Sequence, residues 1–326
     1  VLFLQIRRGG INLLGFDYPL LFEPVAVPRP WGAGRLCKLY DRACADADQP
    51  IGESWDVSTW PTDPGDPNLA TVSRIVNGPL AGTRLDLVTE VPVVVKVLDA
   101  AEKLSVQTHP VTANGHKDEM WYILHAEPDA YLYCGLKEGV DKNEFCEVIR
   151  SGNPDEAAVL DMLVRADGLN AGDYFNVPSG TVHAVGPGVV AFEVSERTQV
   201  TYRLFDYNRG RAIHVKEGCE AVLASREQTP SLYHGLMISA AETEEVISRF
   251  PTFCVVKLTG DKIFIAGARH KNLITATAGD CRISGHTFEW TITLKQSYTC
   301  LVPVAYEGYT IDTQGSGEVL ITPLCD

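Results

Sequence analysis

The sequence predicts a mainly β protein: two jelly-roll-like β domains, the first carrying a small helical insertion. Three observations predict it. Short segments rich in Val, Ile, Thr and aromatic residues recur along most of the chain, separated by Gly, Pro and Asp turns. One stretch, about residues 138–167, changes to helical spacing. After about Thr229 a second series of evenly spaced short strands begins. The expected domains are therefore residues 1–228, with the insertion, and residues 229–326.

The elements follow in order. LFEPVAVPRPWGAGRL reads as an edge strand and loop, because its prolines cannot donate to a central ladder. GESWDVSTW (52–60) alternates as a strand, and PTDPGDPN is a turn cluster. VPVVVKVLDA (91–100), LSVQTHP, EMWYILHA and AYLYCGL are further strands. NEFCEVIRSG and NPDEAAVLDMLVRAD place apolar residues at helical spacing, with Asn153-Pro154 as a start signal. GDYFNVPSGTVHAVGPGVVAFEVSE returns to strands and glycine turns, TYRLFDYNR (201–209) is extended, and HVKEGCEAVLAS reads as a short helix. The closing strands include FCVVKLTG, NLITATAG, FEWTITL and EVLITP.

With 326 residues, 45% apolar and 21% charged, the chain has the composition of a soluble globular protein. A formal charge of −14 and a pI near 5.0 argue against nucleic acid and anionic membrane as partners. No apolar stretch approaches a membrane span. The opening VLFLQIRRGG places its arginines after a very short apolar run, the reverse of a secretory signal, and reads as a disordered or strand-like tail. The nine cysteines form no C-x-x-C pair, so we expect single, mostly buried thiols in a reducing, cytoplasmic setting.

The segment SVQTHPVTANGHKDE (105–119) concentrates the chemistry. Gln107 and His109 stand two apart in a strand and leave the same face of the sheet. Glu119 heads the next apolar strand, and His183 follows a Pro-Ser-Gly turn. A lone histidine in a β protein is ordinarily a satisfied one; two imidazoles with a carboxylate and an amide at one point would be a metal site. That donor set suits Zn²⁺ with an open position. It equally suits Fe²⁺ in a two-His, one-carboxylate site, and spacing alone does not choose. His116 and His125 read as solvated neighbours, and His214, His234, His270 and His286 fall outside the cluster. Trp31, Trp55, Trp60, Trp121 and Tyr202 read mostly as core, and Asp129, Glu138, Asp141 and Glu144 as a solvated acidic face.

Several strings in one order carry a more specific signal: PRPWGAGRL, GESWDVS, VVVKVLDAAEKLSVQTHP, KDEMWYIL, GDYFNVPSGTVHAVGPG and TYRLFDYNR. In them the sequence resembles the compact prokaryotic branch of the type I phosphomannose isomerases, zinc-dependent members of the cupin superfamily. The resemblance spans about residues 20–225. It implies a cupin jelly-roll catalytic domain holding one Zn²⁺ per chain through Gln107, His109, Glu119 and His183. It places the catalytic arginine at Arg203, a sugar-phosphate pocket at Lys96, Ser105 and Lys117, and an acidic residue near the metal at Glu193. The first twenty residues have no counterpart, the link from His109 to Glu119 is short, and the family's larger helical domain is reduced to residues 138–167.

The implied reaction converts mannose 6-phosphate to fructose 6-phosphate through a cis-enediol(ate), with Arg203, Glu193 and Lys117 as catalytic candidates. For the proton-transfer base, Glu193, Lys117 and a metal-bound water stay open. Arg203 alternatively forms a structural ion pair with Asp206 or Glu193. Lys96 interrupts an apolar strand, where an inward ammonium needs a partner. The expected partner is a phosphorylated hexose, and the expected assembly a monomer or small homo-oligomer. Two other functions fit the same residues: a sugar-phosphate-binding or regulatory cupin without turnover, and an iron-dependent cupin oxygenase.

Overall fold

The computed structural model describes residues 5–8, 11–14, 16–42, 50–112, 115–223, 236–286, 290–305, 307–315 and 317–324. The chain divides into two compact units, and neither is contiguous. One comprises residues 1–25, 54–96 and 229–326; the other comprises 26–53 and 97–228. A single cut at 228/229 therefore does not describe the units, and that position itself lies outside the described residues. The boundaries after Glu53 and after Lys96 fall inside the Ile51–Val57 and Val93–Ala100 strands.

The first unit is a β-sandwich. Its seven-stranded sheet runs in the order Thr243–Arg249, Cys254–Thr259, Glu318–Leu324, Lys271–Ala278, Thr299–Val302, Leu20–Glu23 and Arg74–Ile75. Its five-stranded sheet runs Leu236–Ala240, Lys262–Ala268, Tyr309–Asp312, Cys281–Gly285 and Thr291–Leu294. Alternate residues of both sheets form one core: Val256, Ile274 and Ile321 come from the first, and Ile263, Ile283 and Tyr309 from the second. The N-terminal Leu20–Glu23 strand belongs here because Leu21 pairs with Cys300.

The second unit positions the site. Its five-stranded sheet runs Leu163–Asp167, Tyr131–Leu136, His183–Val185, Val106–Thr108 and Tyr202–Phe205. Glu119–Ala126 lies in the six-stranded sheet, between Tyr174–Val177 and Val189–Glu196. The five-stranded sheet separates two cores by strand alternation. Leu132 and Val185 face inward and pack with Leu98, Trp121 and Ile123. Val106, Tyr133, Ala184 and Leu204 face outward and are covered by Phe145, Cys146, Ile149, Val159 and Cys219. The covering residues belong to helices Lys142–Arg150, Glu156–Leu160 and Val215–Ala221. Asp141 and Asp155 cap the first two, accepting from Asn143 N at 2.7 Å and Ala158 N at 3.2 Å.

Three local expectations are corrected. Residues 163–167 of the expected helical insertion form a strand paired with Tyr131–Leu136, because Leu163 is buried while Val164 and Arg165 are exposed. The Val25–Ala33 strand is not an edge strand: it lies between Val93–Ala100 and Ile51–Val57 in sheet order. It pairs with the former at Gly32↔Ala100, beyond Pro28 and Pro30. Cys37 is engaged in a disulfide, whereas Cys134, Cys146, Cys219, Cys254, Cys281 and Cys300 are thiols outside any disulfide. Cys44, Cys325 and His234 lie outside the described residues. Within the opening residues, Gln5–Arg8 pairs antiparallel with Ile11–Leu14. No described helix is long and apolar enough to cross a membrane.

Candidate active site

Strand register builds the site. Cys134 stands opposite His183, His183 opposite Gln107, and Gln107 opposite Arg203. Directly paired residues share a sheet face, so these four side chains form one row on the inner face. In the facing sheet Glu119 pairs with Ser195 and Trp121 with Glu193, which puts those four side chains on one face as well. His109 follows the short Val106–Thr108 strand and keeps the parity of Gln107. Gln107, His109, Glu119 and His183 are thus brought together, and His109, Glu119 and His183 are each at most 2% exposed. Their ligand atoms lie within 4.8 Å of one another.

The hydrogen bonds show what this cluster is arranged to hold. His109 Nδ1 lies 3.0 Å from Val200 O, and His183 Nδ1 lies 2.9 Å from Thr181 O. A carbonyl only accepts, so each Nδ1 donates, and in the neutral ring the Nε2 lone pair is turned inward. His109 Nε2 is buried without a hydrogen-bond partner and faces Glu119 Oε1 at 3.1 Å. With Nε2 unprotonated, the two acceptors face each other in a buried space that a cation would fill. His183 Nε2 is 3.9 Å from Glu119 Oε2 and 3.2 Å from the Gln107 amide. The amide's other end accepts from Ser105 Oγ at 3.2 Å; an amide flip exchanges its O and N, leaving the oxygen available as a ligand. Two imidazoles, a carboxylate and an amide oxygen fit a divalent metal of the zinc type.

A buried charge cluster adjoins the donors. Lys117 Nζ contacts Glu119 Oε1 at 2.5 Å and lies 4.0 Å from Glu193 Oε1, which also accepts from Ser195 Oγ at 3.0 Å. Burial alone would push the Glu119 carboxyl up, but the Lys117 ammonium beside it holds it well below the usual carboxylate range. Burial alone would push the Lys117 ammonium down; Glu119 and Glu193 outweigh it and raise it. Burial lowers His183 to about 3, so the ring stays neutral and able to ligate.

Arg203 lines the same row and is partly exposed. Its Nη1 donates to Ala212 O at 2.7 Å, while its buried Nε has no hydrogen-bond partner and lies 4.0 Å from Asp206. Arg211 takes Asp206 through both carboxylate oxygens. Burial, then Arg211, lowers the Arg203 pKa from its usual value, against the pull of Asp206. The expected structural ion pair of Arg203 is therefore weak, and the charge partner of Glu193 is Lys117. Lys96 stands 4.1 Å over the Trp55 ring, and both belong to the other unit. His116 is half-buried with a buried, unpaired Nδ1 rather than solvated, because the Val111–Thr112 and Gly115–His116 ladder folds it in. His125 is partly exposed, beside Glu127. Trp31, Trp55 and Trp121 are core; Trp121 meets the His183 ring edge-on at 5.3 Å.

Comparison with known proteins then decides the family. No family model matches the chain. It is 34% identical over 232 residues to the probable mannose-6-phosphate isomerase GmuF of Bacillus subtilis, covering 63% of this chain and 68% of that one. It is 30% identical over 267 residues to the mannose-6-phosphate isomerase of Streptococcus mutans, covering 73% and 78%. The chain belongs to the mannose-6-phosphate isomerase family. It is an isomerase of the type I phosphomannose class. The fold agrees: the crystal structure of the Bacillus subtilis mannose 6-phosphate isomerase superposes with a TM-score of 0.74 at 22% identity, over 94% of this chain and all of that one. A mannose 6-phosphate isomerase bound with zinc and yttrium superposes with a TM-score of 0.64 at 14% identity, over the same shares.

Several residues that build this isomerase site escape sequence reasoning. Val200 and Thr181 act through backbone carbonyls, which no side-chain pattern reveals. Asp118 and Ser179 sit inside the KDEM and PSGT strings beside the ligands, and adjacency was their only signal.

Proposed function

We propose that the chain interconverts mannose 6-phosphate and fructose 6-phosphate, using one zinc ion held by Gln107, His109, Glu119 and His183. The observation that carries this reading is the pair of Nδ1-clamped imidazoles whose Nε2 lone pairs face the Glu119 carboxylate. Bound there, zinc would supply Lewis-acid polarisation of the sugar's carbonyl and hydroxyl oxygens. Lys117 and Glu193 are the groups through which a proton would move between C1 and C2, by way of a cis-enediolate. They lie 4.0 Å apart beside Glu119, and their burial excludes bulk water from the exchange. Arg203 would stabilise the anionic oxygens with a fixed positive charge, and its unpaired Nε supports that role. Ser105 and Lys96 complete the proposed phosphate-binding set.

The test is a coupled assay on protein stripped of metal and reloaded. Zinc restores turnover of mannose 6-phosphate in the wild type but not in His109→Ala. Stoichiometric zinc with the sugar left untouched would sink the isomerase reading in favour of a binding protein. Iron with oxygen uptake would sink the zinc reading.

A further inference from the structure

A four-residue turn touches the segments that carry His109, Glu119 and His183. Thr181 N donates to Pro178 O at 3.0 Å, closing a turn over Pro178–Thr181 with Gly180 at φ +85°. Gly180 N donates to His109 O at 3.1 Å. Thr181 O accepts from His183 Nδ1 at 2.9 Å. Ser179 reaches the residues just before Glu119: its N and Oγ donate to Asp118 Oδ1 at 2.7 and 2.8 Å, and its Oγ accepts from Lys117 N at 2.8 Å. Ser179 is fully buried and Asp118 is 2% exposed. Asp118 is itself anchored, its N donating to Glu196 Oε2 at 3.1 Å and its O accepting from Glu196 N at 3.1 Å. Neither side chain points at the ligand atoms, yet one turn is bonded to His109, to the His183 ring and to the strand start that carries Glu119.

We propose that Ser179, locked by Asp118, is a positioning residue for the metal site: the turn sets the separations of His109, Glu119 and His183 together. This rests on the metal reading above. A purely structural turn would serve stability alone, whereas a positioning turn also sets coordination geometry. Buried charge-assisted hydrogen bonds are short and directional, and partners around metal ligands govern affinity in this way.

The experiment strips the full chain of metal, titrates it with Zn²⁺ against a chromophoric chelator, and records the visible spectrum of the Co²⁺-substituted protein. Ser179→Ala and Asp118→Ala weaken zinc binding roughly 10- to 100-fold and shift the Co²⁺ bands. Asp118→Asn keeps an acceptor oxygen and restores both readouts towards wild type. If Asp118→Ala does not fold, Ser179→Ala decides, since it deletes only a hydroxyl. A folded Ser179→Ala protein with wild-type affinity and bands overturns the proposal, even if its melting temperature falls. A wild-type protein that takes up no zinc overturns the metal reading itself, and this inference with it.

Discussion

Lys117→Met tests the charge logic of the site most directly. Lys117 is 4% exposed, sits 2.5 Å from a Glu119 that is 2% exposed, and lies 4.0 Å from Glu193. Methionine keeps the length and most of the volume but removes the cation, leaving two buried carboxylates unopposed. Removing one partner of a buried pair costs about 3–5 kcal/mol. Proton uptake by Glu119 relieves part of this, so we expect about 3 kcal/mol in metal-free protein at neutral pH. For a unit of this size that is a fall in melting temperature of roughly 6–12 °C. A divalent cation held by Glu119 replaces the missing charge, so zinc stabilises the variant more than the wild type and narrows the gap. The assay is calorimetry on both proteins with chelator and with zinc, beside the isomerase assay, in which the loaded variant is expected to be stable but slow. An equal penalty with and without zinc would refute the reasoning, because it would show that Lys117 and the metal do not share Glu119.

Further outcomes follow from the same geometry. Arg203→Ala lowers turnover by about 10²–10³ with zinc content unchanged, and Arg203→Lys recovers only part of it; loss of zinc in either variant would contradict the assignment. Gly180→Ala strains a φ of +85° and drives a Cβ to 2.8 Å from both Ala221 O and Leu223 Cγ, destabilising by about 1–3 kcal/mol in urea titrations. Acid weakens the metal-free fold. Burial lowers His183 from 6.5 to about 3, so between those values the unfolded chain binds the extra proton and stability falls as pH falls. Glu119, held well below its usual value, adds a loss of the same sign below about pH 4.5. Denaturant midpoints from pH 7 to pH 3 check this, and a flat profile, or one unchanged in His183→Gln, contradicts it.

Much of the candidate site was legible because the proposed metal ligation needs particular side chains at a particular parity. Gln107 and His109 are two apart, and the pleat does the rest. The sheet that carries them was legible as strands but not as a two-faced wall. Whether Tyr133 or Cys134 faces the His109–Glu119–His183 cluster depends on which side the helices 142–150 and 156–160 cover, and that is a tertiary fact. The strand at 163–167 was misread for a related reason: LVRAD follows a capped helix and continues its spacing until pairing with Tyr131–Leu136 overrides it. The pairing of Leu21 with Cys300 joins segments far apart in sequence, and no local pattern encodes a partner at that distance. His116 looked solvated because glycine-containing loops usually are; burial of its Nδ1 comes from a two-residue ladder too short to leave a periodic signal.

The neutrality of Gln107 is the remaining clue to what the site must do. Two carboxylates, Glu119 and Glu193, face one ammonium, Lys117, in a buried space, and burial keeps the His183 imidazole neutral. A divalent cation entering that space leaves the cluster with a net positive charge, which a polarising centre needs if it is to draw electrons from a sugar oxygen. A carboxylate at position 107 would bind the cation more tightly and damp its pull. It would also place a third buried negative charge beside His183, destabilising the metal-free protein. Gln107→Glu is therefore expected to raise zinc affinity, lower metal-free stability and slow turnover together. The three are read from chelator competition, urea midpoints and the coupled assay. Tighter zinc with undiminished turnover would show that the charge of the ligand set does not govern the chemistry, and the role given to the amide would fail.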